Sequence, residues 1–435
     1  MKMSSWILGL ALCVAMQPAF GRHTDWPQWR GPDNDGIAEG AELALNWGPD
    51  QNIRWKVKVP GTGLATPVIW GDHLFLLTAI PEGEAAATEP DQGGRMPKIE
   101  PDRKHRFEVM ALDRLTGKTV WSRTAVTELP HESTHGDGSW ASNSPVTDGK
   151  NLIAYFGSRG VFCYDLSGNL KWKTDLGDMH TRNGFGEGSS PIIAEGLVII
   201  NWDQENQSFI TALDLATGET RWKINRDEPT SWSTPIVGAV DGKTQVMVSA
   251  TNTMRGYDLK TGTSIWHCSG MTLNAIPTPI YKDGVFYSAS GFRGNALMAI
   301  DLKGAKGDIS GSQHVLWSMD RDTPYVPSIL LSNGRIYMIK SNRGVLTCVD
   351  ANNGKVIYGP ERLEGIDGVY ASPIAANGRI YIIGRGGNAV VLKDGPAFEV
   401  LATNQLEDRF DSSPAIAGND LYLRGRSMLY CISGK

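Results

Sequence analysis

Apolar residues along this chain gather in short runs, each closed by a polar turn, and the runs recur at a steady interval. A small-residue–Pro–apolar signature opens each unit. Its copies are Ala65-Thr66-Pro67-Val68, Asn143-Ser144-Pro145-Val146, Ser189-Ser190-Pro191-Ile192 and Ser233-Thr234-Pro235-Ile236. Four more follow, at Pro277-Thr278-Pro279-Ile280, Val326-Pro327-Ser328-Ile329, Ala371-Ser372-Pro373-Ile374 and Ser412-Ser413-Pro414-Ala415. Successive prolines stand 78, 46, 44, 44, 48, 46 and 41 residues apart, so only the first step carries an insertion. A period in the forties fits a propeller blade of four short strands. The pattern predicts an all-β chain: an eight-bladed β-propeller of four-stranded antiparallel blades.

Each unit repeats its internal order. After the Pro-led strand come pairs such as Asp148-Gly149, Asp283-Gly284, Asn333-Gly334 and Asn377-Gly378, which take positive φ cheaply and close two-residue hairpins. An apolar strand follows, then a third ending in apolar-Asp, then Gly and, four residues on, an aromatic. Trp121, Trp172, Trp222, Trp266 and Tyr358 hold that last place, with Trp55 and Trp317 on the corresponding strands of other units. One packing job done many times makes these rings structural. The last unit stops before its outer strand, while Asn52–Val57 near the start looks like the missing strand; it should close the ring and remove a sheet edge. Cys163, Cys348 and Cys431 share one repeat slot with Ala111, Ala212 and Ala299, which asks for a small buried side chain. Their units are not ring neighbours, so these three and Cys268 read as free thiols.

Composition refines the picture. With 42 Lys and Arg against 47 Asp and Glu, the chain has no basic excess or basic run for nucleic acid. Residues 1–21 read as a signal peptide: Lys2 precedes an apolar run from Trp6 to Met16, and Ala19-Phe20-Gly21 offers a cleavage site. The mature protein is therefore expected to be exported, periplasmic or extracellular, soluble and monomeric, with no later run long enough to span a membrane. Residues 22–51 form an N-terminal extension and 52–435 the propeller. Glu82–Lys104, rich in Glu, Ala, Pro and Gly, fills the long first step as a surface loop.

The candidate chemistry lies in the loops that enter the Pro-led strands. His131-Glu132-Ser133-Thr134-His135 matches the zinc-protease pattern H-E-x-x-H, which needs a helix to bring both His to one face. Pro130 before it and Gly136-Asp137-Gly138 after it argue against a helix, no third ligand is evident, and no metal is expected. The same loops should converge on one mouth of the central channel. There they would bring together His131, His135, Asp137, Trp140, His180, Arg182, Asn183, Glu187, Trp232, Tyr325 and Tyr370, with Asn274 and Asp411 in comparable places. Mixed aromatic and charged groups on a rigid funnel suit a protein or small-molecule ligand.

The Ala-x-Asp-x-x-Thr-Gly-x-x-x-Trp pattern, as in Ala111–Trp121 and Ala212–Trp222, resembles the pyrroloquinoline-quinone (PQQ)-like β-propeller repeat family. Finer stretches, Trp26-Pro27-Gln28-Trp29-Arg30-Gly31-Pro32, Ser231–Pro235 and Thr323–Pro327, are similar to an exported bacterial branch of it. The resemblance implies a fold more firmly than a reaction. Its dehydrogenases hold PQQ against Ca²⁺ beside two adjacent cysteines, and no cysteine here has a cysteine neighbour. The first reading is thus a non-catalytic binding scaffold of the cell envelope without a cofactor. A PQQ-dependent quinoprotein oxidoreductase and a role like that of the outer-membrane protein assembly propeller stand as alternatives.

Overall fold

The computed structural model describes residues 24–85 and 97–434. The leader assigned to residues 1–21 lies outside them, as does the middle of the Glu82–Lys104 insertion. Eight four-stranded antiparallel sheets are built in chain order. Blade 1 runs outward from Val68–Trp70 through His73–Pro81 and His105–Asp113 to Thr119–Glu128. The inner strands of blades 2 to 8 are Val146–Thr147, Ile192–Ala194, Ile236–Val240, Ile280–Lys282, Leu330–Ser332, Ile374–Ala376 and Ala415–Ala417. Ile53–Lys58 pairs antiparallel with Met428–Ser433 as the outer strand of blade 8, which closes the ring. Apolar clusters fill the wedges between neighbouring blades, as between blades 3 and 4 around Ile199, Trp222, Val246 and Tyr257.

The hairpins obey the turn chemistry. Asn333 (φ 47°) and Gly334 (φ 73°) both sit in the left-handed region that a two-residue type I′ turn requires. Asp148-Gly149 differs: only Gly149 is left-handed, and the Asp148 carboxylate instead accepts from the backbone N–H of Lys150 and Asn151.

Register explains the small slot. Ala111 lies opposite Trp121, Cys163 opposite Trp172, Ala212 opposite Trp222, Cys348 opposite Tyr358 and Cys431 opposite Trp55. A small side chain there lets the aromatic lie across the strand. The four cysteines among the described residues are buried and free, and burial pushes the Cys163, Cys348 and Cys431 thiols up to about 12.

Each ring then reaches the next blade. Trp55, Trp121, Trp172, Trp222 and Trp317 donate their indole N–H to the carbonyls of Arg114, Leu166, Leu215, Leu259 and Ala351 at 2.9–3.0 Å. They also lie against the turn glycine of that blade, close enough that a methyl at Gly262 would stand 2.7 Å from Trp222. Two rings depart from this rule. Trp266 bonds Gln245 within its own blade, whose outer edge carries an extra parallel strand, Gly307–Asp308. Tyr358 packs on Phe398 instead.

The Pro signature has a second role. The backbone N–H of Thr66 donates to the Ser144 hydroxyl, Ser144 to Ser190, Ser190 to Thr234 and Thr234 to Thr278. The chain continues from Thr278 to Ser328, Ser328 to Ser372 and Ser372 to Ser413. Thr66 Oγ1 completes the circle by donating to the Ser413 carbonyl at 3.1 Å. One hydroxyl per blade thus laces the inner strands together.

The N-terminal extension is structured. Trp26 bridges to Ile69, and the Pro27 carbonyl accepts from Thr147 N–H, at the hairpin-turn ends of blades 1 and 2. The segment then reaches blades 6 and 7, where the buried Arg30 guanidinium donates to the carbonyls of Asp35, Ile329 and Pro373. Ile37–Ala38 adds a parallel strand to Ile374–Ala376. The crossing covers the mouth opposite the predicted funnel. The insertion is ordered at its far end too: Lys98–Ile99 pairs with Thr134–His135.

Candidate functional site

Because every strand is short and every loop is anchored on a sheet, residues far apart in sequence meet at the open mouth without much ordering cost. They line a cavity of about 610 Å³ whose floor includes Trp29 of the N-terminal crossing. Of the residues expected there, His135, Asp137, Arg182, Asn183, Glu187, Trp232, Tyr325 and Tyr370 line it, as do Asn274 and Asp411.

His131, Trp140 and His180 do not. His131 and Trp140 fall into a narrow cleft between blades 1 and 2, where Trp140 packs on His105 and bonds the Glu132 carbonyl. The His180 ring is exposed beside His131.

The cavity has two chemically distinct sides. On one, Tyr325 stacks on Phe292 with centroids 5.0 Å apart, and the Arg293 guanidinium lies over the Phe292 ring, 5.5 Å from its centroid. Arg182 donates to the side-chain amide oxygen Oδ1 of Asn274 at 3.4 Å. Among the described residues neither Arg182 nor Arg293 meets a carboxylate. On the other side, Asp137 takes Arg385 and Arg409 at 3.0 and 2.5 Å and the Tyr370 hydroxyl at 3.0 Å. Asp411 takes Arg385, Arg409 and Arg426. Burial works against the Asp137 charge, but the bonds from Arg409 and Tyr370 prevail and hold it below the usual carboxylate range. The Arg385 guanidinium lies 3.6 Å from the Tyr370 ring centroid, a cation–π contact. Burial, followed by the Asp137 charge, raises the Tyr370 phenol.

Glu187 touches the cavity but turns its carboxyl into blade 2, where it accepts from Ser158 N–H and hydroxyl at 2.8 and 2.5 Å. Burial pushes it up to about 8, so it is largely neutral at pH 7. Trp232 donates to the Gly186 carbonyl at 2.7 Å and is partly a structural strut. Five guanidinium groups, those of Arg182, Arg293, Arg385, Arg409 and Arg426, thus gather on or behind the lining with the carboxyls of Asp137 and Asp411, the latter raised by burial against its arginine partners.

These residues do not offer a Ca²⁺ bed for a quinone. Asp137 and Asp411 are committed to guanidinium groups, Glu187 to Ser158, and the four cysteines among the described residues lie within the sheets.

Sequence reasoning followed the loops entering the inner strands and missed those joining second to third strands. Phe292, Arg293, Arg385 and Arg426 stand on the latter, at the same mouth. The signal was present: Arg293-Gly294, Arg385-Gly386 and Gly425-Arg426 place a guanidinium beside a turn glycine.

Comparison with known proteins matches residues 105–359 to the family model described as outer membrane protein assembly factor BamB. BamB of Moranella endobia (strain PCIT) is 27% identical over 276 residues, 57% of this chain and 60% of the relative, so the match spans less than two thirds of that protein. BamB from Moraxella catarrhalis superposes with a TM-score of 0.60 at 13% identity, covering 87% of this chain and 98% of that one. A europium-containing methanol dehydrogenase gives 0.63 at 11% identity, over 92% and 89%. At such identities the superpositions show the fold alone.

Proposed function

The chain belongs to the family of outer membrane protein assembly factor BamB, and from that premise we propose that it is a non-catalytic interaction scaffold of the cell envelope. The open mouth is its recognition site. It would receive a polypeptide segment that offers a carboxylate to Arg182 and Arg293 and an apolar or aromatic side chain to Phe292 and Tyr325.

The observation that carries this reading is the pairing of unneutralised guanidinium groups with a stacked aromatic pair in one preformed cavity. Tyr and Arg are the residue types that dominate binding hot spots. The commitment of Asp137 and Asp411 to arginines speaks for binding over Ca²⁺-assisted quinone chemistry. Export by the leader at residues 1–21, and a monomeric state, belong to the same proposal.

The protein purified from its native envelope should bring a polypeptide partner with it. Tyr325→Ala and Arg182→Ala should each weaken that complex by about 30-fold, the scale of a hot-spot residue, with melting within about 2 °C of wild type by the usual behaviour of partly exposed positions. Loss of binding that merely tracks the folded fraction would show the mouth to be packing.

A further inference from the structure

The H-E-x-x-H stretch forms no helix, and its two histidines part company. His135 turns to the cavity and packs edge-on against Phe185. His131 and Glu132 face the other way, and His180, from the loop that leaves blade 2, comes to meet them. Each of the three offers one ligand atom, and these atoms lie within 4.8 Å of one another.

The supporting contacts are those of a prepared site. Both Glu132 oxygens are fixed by the Thr181 backbone N–H at 3.1 and 3.2 Å, and Oε1 also by the Thr181 hydroxyl. His131 Nδ1 lies 3.5 Å from Asp178 Oδ2. Among the described residues His131 Nε2 is buried without a hydrogen-bond partner, which leaves it the ring nitrogen available to ligate while Nδ1 faces Asp178. A carboxylate orienting one ring nitrogen so that the other can ligate is the usual arrangement behind metal-bound histidine. An orphaned buried nitrogen otherwise costs free energy. The positive charge of Arg159, 2.8 Å from Asp178, is offset by Glu128 at 2.5 Å.

We propose that His131, Glu132 and His180 bind a divalent transition-metal ion, with zinc the best match to two imidazoles and a carboxylate. The ion would tie the loop from blade 1 to the loop from blade 2 at the rim of the mouth, with a fourth position left for water. The site lies outside the cavity lining and stands independently of the scaffold reading.

The test uses the full chain, stripped with a chelator and titrated with Zn²⁺ alone by calorimetry and with Co²⁺ by visible absorption. One ion per chain is expected, with Co²⁺ bands of a low-coordinate nitrogen–oxygen site. His180→Ala removes an exposed ring, so metal-free melting should hold while affinity falls at least about 100-fold, the upper end for lost outer partners of a metal site. Asp178→Asn should weaken binding about 10- to 100-fold by releasing His131. Failure of the wild type to bind overturns the proposal. So does stoichiometric binding that survives His180→Ala and Glu132→Gln, which would put the ion elsewhere.

Discussion

Replacing Trp222 by Ala tests the wedge that repeats around the ring. The indole is 8% exposed, donates to the Leu259 carbonyl at 2.9 Å and lies against Gly262 of the next blade. Removing a buried ring of this size costs about 3–5 kcal/mol, including the hydrogen bond it leaves unmade. Unfolding a chain of this length carries roughly 0.85 kcal/mol per kelvin of entropy, so the melting point should fall by roughly 4–6 °C. Trp222→Phe keeps most of the volume and loses the N–H, for about 1–2 kcal/mol. Gly262→Ala should also destabilise, because φ is +71° there and the methyl would meet the indole. Combined with Trp222→Ala it should cost less than the sum, since the cavity admits the methyl. Differential scanning calorimetry of the four variants beside the wild type reads all of this. A Trp222→Ala variant melting within about 1 °C of wild type, or strict additivity of the pair, would refute the interlocking of ring and glycine.

Two further outcomes follow from buried polar groups. Glu187 has its carboxyl raised from 4.5 to about 8 in the folded chain, so its contribution to stability is complete below about pH 4.5 and is lost as pH rises toward 8. Urea unfolding at pH 5 and pH 8 should show that loss, on the order of a few kcal/mol, and Glu187→Gln should flatten it; an unchanged pH slope in the variant would contradict the assignment. Thr234→Val removes the hydroxyl that accepts from Ser190 N–H at 3.0 Å and should cost about 1–3 kcal/mol in the urea midpoint, whereas an unaltered midpoint would mean that the hydroxyl circle is incidental.

Much of the fold was legible because a propeller writes the same constraint many times. The Gly-to-aromatic spacing, the small slot and the orphan outer strand read at Asn52–Val57, which the structure forms at Ile53–Lys58, each correspond to a contact seen in the structure. The hydroxyl circle was in plain view as a Ser or Thr beside every signature proline, but its partners are one blade away and no local rule names them. Trp266 fitted the spacing yet bonds inside its blade, because the outer edge there is covered by Gly307–Asp308. The site was half legible. Loops entering the inner strands were located by the repeat, whereas Arg385 and Arg426 sit on turns that the repeat does not mark. His131, Trp140 and His180 left the mouth because side-chain direction within an irregular loop follows local bonds, such as Trp140 to the Glu132 carbonyl. The crossing of Asp25–Gln51 had no periodicity to betray it; Arg30 and its three carbonyl partners hold it in place.

The central claim is that the open mouth recognises a polypeptide while the outer strands do not. A photo-crosslinking side chain placed at Tyr325, and in a second protein at the exposed Leu316 on the outer strand of blade 5, tests it in the living cell. The account predicts a discrete polypeptide adduct from position 325, lost when Arg182→Ala is added, and none from position 316. No adduct from 325, or equal adducts from both positions, would contradict it.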